Sequence, residues 1–171
     1  LNKACPAGLW CPTGLGTTPT LAANPCPLGN RCPTRTAVTQ SCDPGSYANV
    51  TGLAACLTCP AGYYCLAGAI QPTGLCAAGY YCPAGSSSSD AVPCAGGTYQ
   101  TGIGGMSQAS CITCANGTYC PRGASSQLPC PLGHYCLTGV EVPIRCPMGR
   151  FGNDTGAKSH YECPECTPGY Y

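Results

Sequence analysis

The chain has 171 residues, of which 19 are cysteine, 24 glycine and 18 proline. Leu, Ile, Val and Phe together number only 22, and charged residues make up 8%, against a usual share of about 25%. That leaves too little aliphatic material for a core of the size such a length normally buries, so cross-links must replace it. The net charge of +1 gives no electrostatic reason to expect nucleic acid or anionic lipid as a partner. No apolar run reaches the length of a membrane-spanning helix, so no membrane insertion is expected. The chain opens at Leu1, as a mature protein or a window cut from a longer one would.

One short pattern organises the whole chain. A Cys is followed by Gly three residues later and then, usually, by an aromatic residue two further on. Copies begin at Cys5, Cys26, Cys42, Cys59, Cys76, Cys94, Cys114, Cys130, Cys146 and Cys166. The aromatic slot holds Trp10, Tyr47, Tyr64, Tyr81, Tyr99, Tyr119, Tyr135, Phe151 and Tyr171, and only Arg31 breaks it. Pro followed two residues later by Gly suits a tight turn with the Gly at positive φ. The aromatic after the turn is placed to cover a neighbouring disulfide. A packing role fits a slot repeated this often better than ligand binding does.

A longer period of 52 residues separates Cys42 from Cys94 and Cys94 from Cys146. It divides the chain, in order, into a partial cysteine-rich repeat (1–41), two full ones (42–93 and 94–145) and a second partial one (146–171). No window sustains a 3.6-residue apolar period, and Gly or Pro interrupts most stretches. Each repeat is therefore predicted to be short β-hairpins and turns with almost no helix. Small disulfide-rich repeats of this kind are expected to stack into an elongated, rod-like tandem array, each touching mainly its neighbours. Ser86-Ser87-Ser88-Ser89 reads as a surface loop. This loop, or Thr17, Thr18 and Thr20 beside Pro19, could carry O-linked sugar.

Three sequons, at Asn49, Asn116 and Asn153, are candidate N-glycosylation sites. Beside the cysteine content they point to an extracellular or cell-surface protein, and sugar would keep a weakly charged surface soluble. Three Cys-x-x-Cys steps, Cys56/Cys59, Cys111/Cys114 and Cys163/Cys166, raise zinc as a rival to disulfides. The first two are each followed by a further Cys six residues on, and paired knuckles do not recur within one repeat, so disulfides are favoured and no metal or cofactor is expected.

Catalysis finds little footing. His134 stands in a turn where other copies have Tyr63 or Tyr80, and His160 stands in a loop. The acids Asp43, Asp90, Glu141, Asp154, Glu162 and Glu165 are mostly scattered over separate loops, so no enzyme is expected. Asn153-Asp154 falls far short of a calcium site. Arg31, Arg35, Arg122, Arg145 and Arg150 form no run, which argues against a nucleic-acid patch.

The stretch from Cys42 through Gly45, Tyr47, Asn49 and Gly52 to Cys56-Leu57-Thr58-Cys59 resembles the ephrin-receptor-like cysteine-rich repeat. Cys146 through Gly149, Phe151, Asn153 and Gly156 to Cys163-Pro164-Glu165-Cys166 is a second match, and the resemblance covers nearly the whole chain. The copies at Cys94 and Cys146 run three residues longer to their second Cys than the copy at Cys42, and the Cys94 copy lacks a sequon in that loop. The family is similar in cysteine spacing to tumour-necrosis-factor-receptor modules. It also occurs as tandem arrays in surface and fibre proteins of protists and algae, including mastigoneme proteins.

Six cysteines allow 15 pairings. The resemblance to receptor modules implies Cys42–Cys56, Cys59–Cys76 and Cys65–Cys82, then Cys94–Cys111, Cys114–Cys130 and Cys120–Cys136. For the partial repeats it implies Cys5–Cys26, Cys11–Cys32 and Cys146–Cys163, with Cys166 unpaired. By analogy with Cys59 to Cys65, the polypeptide is expected to continue with a Cys after Tyr171; a deliberate free thiol is the lesser reading. The function this implies is a structural segment of a glycosylated extracellular filament or coat, mastigoneme-like, self-associating or packing on neighbouring repeats. The alternative is the stalk or ligand-binding region of a cell-surface receptor.

Overall fold

The computed structural model describes residues 5–11, 24–167 and 169. Thr17, Thr18, Thr20 and Tyr171, named above, lie outside the described residues. The fold is that of small disulfide-rich repeats, nearly free of helix. Among the described residues the only helical pieces are two 3-10 turns, Gln108–Ser110 and His160–Glu162.

Among the described residues, seven antiparallel hairpins, each strand two residues long, follow one another. They join Asn30–Arg31 to Gln40–Ser41, Ser46–Tyr47 to Leu57–Thr58, and Tyr63–Tyr64 to Gly74–Leu75. They continue with Tyr80–Tyr81 to Val92–Pro93, Thr98–Tyr99 to Ile112–Thr113, Thr118–Tyr119 to Leu128–Pro129, and His134–Tyr135 to Ile144–Arg145. Each begins just after a Cys-x-x-Gly turn. The turn glycines take φ of 84° at Gly8, 71° at Gly29 and 86° at Gly62, the left-handed region that the Pro-x-Gly pattern predicts.

The register explains where the few aliphatic residues go. The aromatic slot faces the residue two before the next copy's first Cys: Tyr47 with Leu57, Tyr81 with Val92, Tyr99 with Ile112, Tyr119 with Leu128 and Tyr135 with Ile144. Such aromatic–aliphatic pairs stabilise a hairpin by roughly 0.2–1 kcal/mol each. Tyr64 faces Gly74 instead, and a Cβ there would sit 3.0 Å from the ring. These rings stay half-exposed, and Phe151 is exposed. The buried core is sulfur: Cys26, Cys32, Cys59, Cys65, Cys76, Cys82, Cys94, Cys114, Cys120, Cys130, Cys136 and Cys163 are fully enclosed.

The disulfides correct most of the implied pairing. Cys5–Cys26, Cys11–Cys32, Cys59–Cys76, Cys65–Cys82, Cys114–Cys130 and Cys120–Cys136 are not formed. The bridges are Cys5–Cys11, Cys26–Cys32, Cys59–Cys65, Cys76–Cys82, Cys114–Cys120 and Cys130–Cys136. The cause is the turn, which reverses the chain so tightly that Cα atoms six residues apart lie 5.7–6.2 Å from each other, well inside bridging range. In the copies at Cys42, Cys94 and Cys146 that sixth position is Ala48, Gln100 or Gly152. There the first Cys reaches the end of its own copy, forming Cys42–Cys56, Cys94–Cys111 and Cys146–Cys163. Cys166 is unpaired.

Every bridge therefore closes within one copy, and backbone hydrogen bonds join copy to copy. The chain forms two compact bodies, Leu1–Cys76 with Cys82–Ala91, and Ala77–Tyr81 with Val92–Tyr171. In the first, Gly8, Gly29, Gly45 and Gly62 donate their N–H groups to Cys32, Ala48, Cys65 and Cys82, each at the sixth position of the following copy. Arg35, Gly52, Gly68 and Gly85 donate back to Cys5, Cys26, Cys42 and Cys59.

The second body repeats this clamp. Gly79, Gly97, Gly117 and Gly133 donate to Gln100, Cys120, Cys136 and Gly152, and Gly123, Gly139 and Gly156 donate back to Cys94, Cys114 and Cys130. Strands of two residues cannot satisfy their own polar backbone, so the remaining groups pair across copies.

Contacts also reach the next copy but one. A Cβ at Gly8 would run into the Gly52 carbonyl, at Gly45 into that of Gly85, and at Gly97 into that of Gly139. These turn glycines are thus required twice, for their φ and for a carbonyl packed against them, whereas Gly133 and Gly149 have nothing within 4 Å.

Candidate functional site: the sequon loops and the clamped turns

Asn49 and Asn153 occupy the same place in two long copies, seven residues after Cys42 and Cys146, and both are exposed, as are Thr51 and Thr155. Asn116 sits in the Cys114 turn, directly before the buried Gly117. With its amide turned to satisfy its neighbours, the Asn116 nitrogen donates to the Cys136 carbonyl at 2.8 Å and the Lys158 carbonyl at 2.9 Å. The Thr118 hydroxyl donates to the Ala115 carbonyl at 2.6 Å. All three sequon asparagines are exposed; two stand in loops, and Asn116 also stands at a junction between copies.

The Cys-x-x-Cys steps are split between separate bridges. Cys56 pairs with Cys42 and Cys59 with Cys65; Cys111 pairs with Cys94 and Cys114 with Cys120. Cys163 pairs with Cys146, leaving Cys166 beside it. Among the described residues, no group of three or more His, Cys, Asp or Glu side chains is placed to hold a metal ion.

The histidines lie in structural settings. The His134 ring Nδ1 is 2.9 Å from the Leu132 carbonyl, within its own turn. His160 meets Tyr135 edge-on at 6.2 Å and lies 3.9 Å from Tyr161. Arg31 pairs with Asp43 at 3.4 Å, while its buried Nε has no partner. Arg150 reaches Glu165 at 2.8 Å and the Cys163 carbonyl at 3.0 Å, closing the Cys146 copy on itself. The remaining acids serve locally where they bond at all; Glu162 accepts the Lys158 N–H at 3.0 Å.

Two sets of residues escaped the sequence reading. The first is the glycine three residues after the second Cys of a short copy: Gly68, Gly85, Gly123 and Gly139. Its signal was present, since Cys-x-x-Gly recurs there too. The second is Asn116, whose role depends on residues from two later copies and left no local trace.

No helix is long and apolar enough to cross a membrane among the described residues. Nine disulfides are the mark of a protein that matures in an oxidising, extracytoplasmic compartment. Neither the family models nor the curated proteins compared with the chain match it.

Proposed function

We propose that this chain is a structural segment of an extracellular glycosylated filament or coat, mastigoneme-like in kind. The observation that carries the reading is the copy-to-copy clamp. The same pair of backbone bonds recurs in both bodies, and it uses no side chain beyond the small residues that let the backbones approach. Such a joint tolerates variation at exposed positions, which suits an array lengthened by duplication. Disulfides hold the shape of each copy, and the clamps carry load between copies. Glycans at exposed loops shield a surface that includes exposed Val38, Ile103, Val142 and Met148. Self-association or packing on further repeats would extend the array.

Electron microscopy of protein purified without reductant tests this. Regular filaments are the expected result. Isolated particles that do not associate at high concentration would overturn it and favour a receptor stalk.

A further inference from the structure

The Asn116 nitrogen has two hydrogens, and the junction uses both. One goes to Cys136 in the next copy, whose carbonyl also accepts the Gly117 N–H at 2.9 Å, and one to Lys158 in the copy after that. In the Cys94 copy the corresponding position also has a later copy close to it. A Cβ on Gly96, second after Cys94 as Asn116 is second after Cys114, would collide with the Glu141 side chain of the next copy but one. A Cβ on Gly117 would lie 3.1 Å from Lys158 Cγ. Later copies thus approach this position at Gly96 and Asn116, while the equivalent Leu28 and Leu132 are exposed. All three asparagines are exposed; Asn49 and Asn153 differ in that, among the described residues, no hydrogen bond engages either amide.

We infer that Asn116 is a latch between three copies and carries no glycan in the folded protein, so that N-glycans are confined to Asn49 and Asn153. The inference rests on the secreted, glycosylated reading above. N-glycosylation breaks the sugar C1–O bond of a polyprenyl-pyrophosphate-linked oligosaccharide and forms a C1–Nδ2 bond, with loss of one Nδ2 proton. The lipid pyrophosphate leaves. A glycosylated Asn116 therefore gives up one of its two bonds to Cys136 and Lys158, so the glycan competes with the junction. Asn49 and Asn153 meet no such conflict. They stand 104 residues apart, twice the 52-residue period, on equivalent loops. Sugar is then presented from one kind of loop, and the turns that build the joints stay bare.

The test is site-by-site glycan occupancy. The chain is secreted from a eukaryotic host, its folded fraction is deglycosylated enzymatically in 18O water, and the peptides are weighed. Label at Asn49 and Asn153 with none at Asn116 is expected. Comparable label at Asn116 overturns the inference. An absence of label at Asn49 and Asn153 also overturns it, while leaving filament formation to be decided by microscopy.

A second measurement addresses the latch. Asn116→Ala should speed amide exchange at Gly117 and Gly156 about fivefold, whereas Thr118→Ala, which removes the sequon and keeps the amide, should not. Unchanged exchange in Asn116→Ala overturns the latch.

Discussion

Arg35 donates its backbone N–H to the Cys5 carbonyl at 2.8 Å while holding a φ of 65°, in the place where later copies have glycine. The clamp therefore tolerates a side chain there, because the position faces outward and Arg35 is exposed. The strain of a left-handed non-glycine residue remains, at about 1–2 kcal/mol. Arg35→Gly removes it but loosens the unfolded chain, which offsets roughly 0.5–1 kcal/mol. A net gain of about 0.5–1 kcal/mol is expected, read from guanidinium unfolding without reductant. Arg35→Ala should give no comparable gain.

The turn glycines separate two costs. Gly97 has positive φ and the Gly139 carbonyl packed against it; Gly149 has positive φ with nothing within 4 Å. Gly149→Ala should cost about 1–2 kcal/mol, the conformational part alone. Gly97→Ala should cost roughly a further 1–3 kcal/mol, because a backbone carbonyl has to move. Equal losses in thermal unfolding would mean that the carbonyl approach contributes nothing.

The pairing of cysteines six residues apart makes a covalent prediction. Non-reducing digestion between Cys65 and Cys76 should release peptides that no disulfide connects, whereas pairing across copies would leave them linked. Each short bridge closes so small a loop that its chain-entropy contribution is on the order of 2 kcal/mol. Under force, reduction should lengthen each short copy by on the order of 15 Å, the extended reach of six residues less the span of the bridge.

Arg31 occupies the aromatic slot and faces Gln40 across its hairpin, with a buried Nε lacking a partner. An unmet buried donor costs about 1–3 kcal/mol. The exposed ion pair with Asp43 returns little. Arg31→Tyr should therefore stabilise the protein by about 1 kcal/mol, and adding Gln40→Val should raise the gain by a few tenths. Both are read as shifts in denaturant midpoint.

Local periodicity made much of the fold legible. Cys-Pro-x-Gly predicts a turn with positive φ, and Gly8, Gly29 and Gly62 adopt it, because a turn depends on four consecutive residues. The scarcity of apolar periods predicted short hairpins with almost no helix, as found. Six of the nine bridges were misread, because spacing does not say whether Cys59 meets Cys65 or Cys76. The Asn116 latch was invisible for a related reason: its partners, Cys136 and Lys158, lie 20 and 42 residues further on.

The sequence by itself determined the unit: a turn, a ring, a bridge-forming Cys and a glycine, repeated because each is set by neighbours within about ten residues. The tertiary structure decided how units join. Two-residue strands leave backbone donors and acceptors unpaired, and only the position of the next copy supplies partners for them. Which cysteines meet, which glycine has a carbonyl against it and which sequon lies inside a joint all follow from that placement.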